Sequence, residues 1–407
     1  MVLGKTSIRS GTSPPRRALL AWEFGAGRTH IANLLGVASH LAASGVQCVA
    51  ALYDPRFADE FAALNIRVVQ NYVWPTRRRS AAGWVERPAR TLSDVLANLG
   101  FANPVALGSA LAHYDGLFSL VRPDILICEN AHGAMLAGRG RMPVIAFGTG
   151  SCLPPIVDGG FANHDASGDS PAWPIEHVRS QINVALEATG RPLLNRLSDL
   201  LEVDGVYPFG PVEFDLYSLT RRGPMLPPHT PGLNEIPSVG DGSEIFIYLH
   251  AFVQGVPQVL TGLANIGRPA RVYIPDLTPA ERAKLPASWR FERNAVPLQE
   301  ILGRSRCIVH HGGPQLTSVC LAAGRPQVII PKEFDNVLCA RFVTSKQLGF
   351  AGQINEVTAD WLVTAVRSAF DDAELRRRCE LAAPHYAGWF TSDPTKTVAD
   401  AALRLTS

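Results

Sequence analysis

Residues 306–336 read RCIVHHGGPQLTSVCLAAGRPQVIIPKEFDN, a run that passes from apolar strand to polar turn to helix and back to strand. Cys307, Ile308 and Val309 form the short apolar run that a parallel strand buries on both faces. His310, His311, Gly312 and Gly313 follow directly. Pro314 suits the first turn of a helix, residues 315–323 continue it, and Gly324 is placed to end it in a left-handed cap. Val328, Ile329 and Ile330 predict a second strand closed by Pro331, with Asp335 and Asn336 standing just ahead of another helix over residues 337–348. Alternation of this kind predicts an open parallel sheet, whose ligands lie beyond the carboxyl ends of the strands, so both polar clusters fall on one rim.

Such a rim suits an anion. Free N–H groups at a helix start, the helix dipole, glycines that permit close approach and imidazole donors all favour a phosphate or diphosphate. Paired loop histidines also occur as plain structural polarity, so the reading rests on their surroundings. Upstream lie Val296, Pro297, Leu298, Gln299, Glu300, Ile301 and Leu302; downstream lie Ala323, Gly324, Arg325, Pro326, Gln327, Pro331, Asp335, Asn336, Ala340 and Arg341. In that order and spacing the run resembles the donor-binding signature of family 1 glycosyltransferases, especially bacterial enzymes acting on natural products. The resemblance is close over the last third of the chain. It departs at Pro314, Gln315 and Leu316, where the family has a small Ala-Gly-Thr, and at Asp335 and Asn336, where the family has Asp-Gln.

The 407 residues, 46% hydrophobic, exceed the roughly 250 to 300 at which single cores stop growing, which predicts two domains. A net charge of +2 leaves no basic footprint for nucleic acid. No apolar run approaches the roughly 18 residues that suggest a transmembrane helix. Seven scattered cysteines without metal-like spacing read as reduced core residues of a cytoplasmic protein. Residues 1–16 carry Lys5, Arg9 and Arg16 among small polar residues, without the apolar segment of a secretory signal, and are expected to form a flexible tail.

At the amino-terminal end, residues 18–22 predict a strand, 31–43 a helix and 46–52 a second strand. The loop between the first two contains Gly25, Ala26, Gly27, Arg28, Thr29 and His30. It lacks the third glycine of a dinucleotide fingerprint, which argues against an NAD site. It resembles the first loop of the same glycosyltransferases, where a glycine-rich turn ends in a histidine. By that resemblance His30 is the general base that takes the acceptor hydroxyl proton, a task suited to imidazole with its ordinary pKa near 6.5. Glu129, at the end of an apolar strand over residues 124–129, stands where the family commonly has an aspartate partner; such a carboxylate would hold the tautomer and stabilise the imidazolium. Both also have plainer readings, His30 as a helix-start residue and Glu129 as a cap, and His132 competes weakly as a helix-start residue.

Residues 71–103, with Trp74, Trp84 and Arg77-Arg78-Arg79 among Pro and Gly, predict an irregular insertion near the acceptor. The arginine triplet is a solvated loop by default; facing an anionic acceptor or making peripheral contact with an acidic membrane are its other uses. Residues 147–173 form a long Gly/Pro/Asp-rich connection, read as an acceptor-side lid. Helices are expected over 175–188 and 193–201, and a last strand of the first domain over 206–209. A Pro/Gly-rich stretch without periodicity, 221–242, reads as the linker. Strands at 244–249 and 270–274 around a helix at 257–266 open the second domain, with His250 either at the phosphates or as a plain cap.

The expected architecture is α/β: two Rossmann-like domains facing across a cleft, the GT-B arrangement. The expected boundaries are 17–220 for the acceptor domain, 243–390 for the nucleotide-sugar domain, and 391–407 for a helix crossing back to the first. The resemblance implies metal-independent inverting transfer from a UDP or dTDP sugar to an acceptor hydroxyl on a small molecule, glycan or lipid. His30 would act as base and Glu129 as its partner. His310, Gly312, Gly313 and Gln315 would meet the diphosphate, with His311 shaping that turn. Val296 and Gln299 would hold the base, and Asp335 and Asn336 the sugar. No cofactor is expected beyond the donor, and no metal, since no Asp-x-Asp stands in a metal-binding context. The sugar, acceptor and oligomeric state are not specified by the residues. A nucleotide-sugar epimerase or hydrolase of the same shape, and a non-catalytic nucleotide-sugar-binding partner, are the competing readings.

Overall fold

The computed structural model describes residues 16–407 apart from 26–27, 76–88, 165–169, 231–232, 234–235, 237–241, 251–254, 276 and 333. The first half contributes strands β1 (Arg17–Trp22), β2 (Gln47–Leu52), β3 (Arg67–Gln70), β4 (Ile125–Glu129), β5 (Val144–Thr149), the short hairpin β6 (Ile156–Val157) and β7 (Gly160–Phe161), and β8 (Gly205–Phe209). The second half contributes β9 (Glu244–Tyr248), β10 (Ala270–Tyr273), β11 (Arg290–Phe291), β12 (Ser305–His310), β13 (Gln327–Ile329) and β14 (Gly349–Ala351). Two six-stranded parallel sheets result, ordered β3-β2-β1-β4-β5-β8 and β11-β10-β9-β12-β13-β14. The order is the same in both. In each, the chain reverses direction across the sheet between its first and fourth strands, the place where a doubly wound sheet opens a crevice.

Sequence alternation explains how each sheet is buried on both sides. Leu19 and Ala21 of β1 enter one core with Leu126 and Ala146, while Ala18, Leu20 and Trp22 enter the opposite core with Ile127, Ile145 and Phe147. In the second sheet Ile245, Ile247, Cys307 and Val309 face one side, and Phe246 and Ile308 the other. Near-continuous apolar strands are what this two-sided burial requires. All seven cysteines are unpaired thiols, six of them buried.

The last helix, Pro394–Leu405, returns to the first domain. Val398, Ala399, Ala401 and Ala402 join the core built around Leu34 and Val37 of the helix Arg28–Ala43. The helices meet at Gly36, where a Cβ would lie 2.7 Å from Thr395 Oγ1. Asp393 caps the helix by accepting from Thr395 N and pairs with His40 at 2.8 Å.

Four local expectations are corrected. Trp74, read as part of an irregular insertion, is fully buried and stacks on Phe101 at 4.4 Å; residues 92–96 are helical, started by a capping box between Thr91 and Asp94. The Thr-x-x-Asp signal was masked by the surrounding Pro and Gly. Arg77–Arg79 and Trp84 lie outside the described residues, as do residues 1–15. The helix expected over 193–201 is reduced to a 3-10 turn, Leu197–Leu201, because Asp199 accepts from Asn195 N and Arg196 N and turns the chain there. Asp335 and Asn336 lie inside the first turn of the helix Phe334–Ser345 rather than ahead of it. His30 likewise lies in the first turn of Arg28–Ala43, a helix that begins three residues earlier than its apolar periodicity.

Candidate active site

A crevice of about 890 Å³ runs between the carboxyl rims of the two sheets and is lined from both domains. Its first-domain wall is built where β1 and β4 lie side by side, Trp22 opposite Glu129. Beyond Trp22 the chain turns at Gly25, with φ of +89°, where a Cβ would overlap the His30 ring. Glycine is required there on both counts. His30 stacks on Trp22 with ring centroids 5.7 Å apart, and its Nδ1 lies 2.7 Å from Glu129 Oε2. The carboxylate only accepts, so Nδ1 carries the hydrogen between them. Glu129 is fully buried, and its second oxygen accepts from Asn33 Nδ2 at 3.2 Å.

Glu23, the residue after β1, is also fully buried. It accepts from Gly133 N and Ala134 N, both at 2.9 Å, and from Tyr114 Oη at 2.5 Å, closing the start of the helix His132–Gly138. Burial pushes its carboxyl up to about 7, against the lowering pull of those donors. His132 opens that helix and touches the crevice; burial holds it down at about 4, a neutral imidazole.

The opposite wall is built from the run that decided the fold. Gly312 has φ of +84°, and a Cβ on it would lie 2.6 Å from Ile329 Cγ2. The helix Pro314–Ala322 starts at Gly313 with no side-chain cap, so its first N–H groups are presented to the crevice by backbone alone. Gly313, Val296, Asp335 and Asn336 all line this wall. Asn336 Nδ2 donates to Asp335 Oδ1, and Asn336 Oδ1 is buried without a hydrogen-bond partner among the described residues.

Several of the expected site residues have partners within the protein. His310 is fully buried; its Nδ1 accepts from Gly312 N at 3.0 Å and its Nε2 meets Gln327 Oε1 at 2.9 Å. With both nitrogens taken, and burial holding it at about 4, it braces the glycine turn at the lining of the crevice. His311 shapes the same turn: Nδ1 donates to Ile330 O at 2.8 Å and Nε2 accepts from His250 N at 3.1 Å. His250 stacks on His311 and lines the crevice, its Nε2 meeting Tyr248 Oη at 3.2 Å. The Gln315 side chain spans the domains, donating to His229 O at 2.7 Å and facing Thr29 Oγ1 at 3.4 Å. Gln299 is exposed on the helix Leu298–Arg304 and does not line the crevice.

Sequence reading passed over Asn33 and His229. Asn33 sits three residues after His30 on the same helix face, and a buried amide in an apolar helix is the signal that would have found it. His229 lies in the Pro-rich stretch and has no such signal. Among the described residues no group of three or more His, Cys, Asp or Glu is arranged to hold a metal ion. No single described helix is long and apolar enough to cross a membrane.

Residues 257–397 match the family described as erythromycin biosynthesis protein CIII-like, C-terminal domain. The chain is 32% identical over 102 residues to the NDP-glycosyltransferase YjiC of Bacillus subtilis (strain 168), covering 25% of this chain and 26% of that protein. It is 31% identical over 137 residues to the vancomycin aglycone glucosyltransferase of Amycolatopsis orientalis, covering 30% and 34%. These alignments thus span about a quarter to a third of the curated relatives. Whole-chain likeness appears in solved structures: the glycosyltransferase VinC in complex with dTDP, with a TM-score of 0.66 at 15% identity over 96% of this chain and 99% of that one. The calicheamicin glycosyltransferase CalG4 gives a TM-score of 0.66 at 19% identity over 97% and 98%. The chain therefore has the GT-B fold of the natural-product glycosyltransferases, and its second half carries an EryCIII-like C-terminal domain.

Proposed function

We propose that the protein transfers a sugar from a nucleoside-diphosphate donor, of the UDP or dTDP type, to an acceptor hydroxyl, inverting the anomeric centre without a metal. One observation carries this reading: an imidazole held by a buried carboxylate faces an uncapped helix start across one crevice. His30 Nε2 takes the proton of the acceptor hydroxyl, and Glu129 stabilises the imidazolium that results. The acceptor oxygen attacks the anomeric carbon as the bond to the diphosphate breaks on the opposite side. The leaving diphosphate collects its charge at the N–H groups of the Pro314–Ala322 helix. Asp335 and Asn336 hold sugar hydroxyls, and the chain around Val296 holds the base. The likenesses to YjiC and the vancomycin aglycone glucosyltransferase, which are glycosyltransferases by name, support the reaction class. The seven unpaired thiols suit a cytoplasmic setting.

The test is to offer UDP and dTDP sugars with a panel of hydroxylated acceptors, following diphosphate release and product mass, and to read the anomeric configuration by NMR. Acceptor-dependent release with an inverted product is expected. Donor consumed without any acceptor would assign an epimerase or hydrolase instead, and donor binding without turnover would assign a binding partner.

A further inference from the structure

The hydrogen bonds around His30 close into a ring that crosses the crevice. His30 Nδ1 donates to Glu129 Oε2 at 2.7 Å, and Asn33 Nδ2 donates to Glu129 Oε1 at 3.2 Å. His229 Nδ1 meets Asn33 Oδ1 at 3.0 Å, Gln315 Nε2 donates to His229 O at 2.7 Å, and Thr29 Oγ1 faces Gln315 Oε1 at 3.4 Å. Thr29 precedes His30, which completes the circuit. Its directions are set by one group. The carboxylate can only accept, so Asn33 must turn its NH₂ to Glu129 and its oxygen to His229, and His229 must then carry its hydrogen on Nδ1. Burial agrees, holding His229 at about 4 and therefore neutral. Thr29, His30 and Asn33 share one face of one helix, Glu129 ends the neighbouring strand, and Gln315 lies in the first turn of the opposing helix.

We propose that Asn33, His229 and Gln315 are positioning residues that tie the orientation of His30 to the donor-side helix, so that a diphosphate seated at that helix draws the base into line. The proposal rests on the glycosyl-transfer reading above. Gln315 stands where the resemblance places a small residue, so the tie is a feature of this chain. A link of this kind acts on kcat more than on donor KM, because it governs the geometry of the base and leaves the N–H groups that hold the diphosphate in place.

The test compares Asn33→Ala, Gln315→Ala and the double variant at saturating donor and acceptor, with circular dichroism as the check on folding. Each single change is expected to lower kcat about tenfold with donor KM within about threefold. The double change is expected to cost little more than the worse single one, since all three break the same ring. Losses that multiply to about a hundredfold, or an unchanged kcat in either single variant, would overturn the proposal. Should Asn33→Ala fail to fold, His229→Phe removes the same link while keeping bulk. A readout without turnover separates this inference from the reaction itself: ring-nitrogen NMR of labelled histidines on adding UDP or dTDP. The His30 resonances are expected to move in the wild-type protein and to stay still in Gln315→Ala. A wild-type protein that transfers no sugar would defeat the proposed reaction alone, whereas an equal His30 response in both proteins would defeat the ring.

Discussion

The two sheets have one strand order, and their crevice-facing turns occupy equivalent places. Trp22 and Tyr248 end the first strands, Glu129 and His310 end the fourth, and the helices His132–Gly138 and Pro314–Ala322 follow. What differs is the residue after the first strand. In the first domain Glu23 inserts a carboxyl that satisfies Gly133 N and Ala134 N, so the helix mouth is plugged from within. In the second domain the same place holds Leu249, buried and apolar, and the helix start is left open to the crevice. One fold thus yields an open helix mouth on one side and a closed mouth on the other. The same contrast holds at the strand ends: Glu129 holds the imidazole of His30, whereas His310 braces a turn.

Under the proposed function the contrast puts chemistry in the first domain and leaving-group binding in the second, and the sharpest way to break it is His30→Ala. Turnover is expected to fall about 10³-fold while nucleoside diphosphate binding, measured by calorimetry, is unchanged. A loss of binding would place His30 on the wrong side of the division. Glu129→Gln keeps the volume but removes the charge that supports the imidazolium, and about a 10²-fold fall in kcat is expected, again at constant diphosphate affinity.

Glu23→Gln probes the plug. With the folded-state carboxyl near 7 and its ordinary value at 4.5, the folded protein holds a proton that the unfolded chain has lost, so this group's contribution makes stability fall as pH rises from about 4.5 to 7. The span corresponds to roughly 3 kcal/mol at most. Denaturant melts at pH 5 and pH 8 are expected to show a smaller drop in Glu23→Gln than in the wild-type protein; equal drops would mean the carboxyl is ionised throughout. Gly312→Ala probes the open mouth: a Cβ would meet Ile329 and demand a disfavoured φ, and about a tenfold loss of diphosphate affinity is expected, with the acceptor side untouched. Smallest is Asp393→Ala, which removes a helix cap and a half-exposed contact to His40 where the last helix returns to the first domain. A loss of about 1 kcal/mol is expected in chemical denaturation with kcat unchanged.

Much of this division was legible in the chain itself, because it is written in local patterns. Apolar runs such as 307–309, the glycine turn at 312–313, Pro314 at a helix start and Gly324 at its end follow from short-range sterics and two-sided burial. His30 and Glu129 were found through their places at the ends of elements and through the family resemblance. Local pattern misled where a capping box hid among prolines at 91–94, and where Asp199 captured backbone N–H groups and stopped a helix.

The sequence alone determined the alternation of strand and helix, and with it two doubly wound sheets and the rim on which polar residues collect. Only the tertiary structure decided what those polar groups do. What a histidine is held by depends on partners distant in the chain: Gln327 and Gly312 meet the two nitrogens of His310, while Glu129, 99 residues away, meets Nδ1 of His30. Hydrogen bonds reach about 3 Å, and no periodicity in a sequence records which remote groups folding brings within that distance.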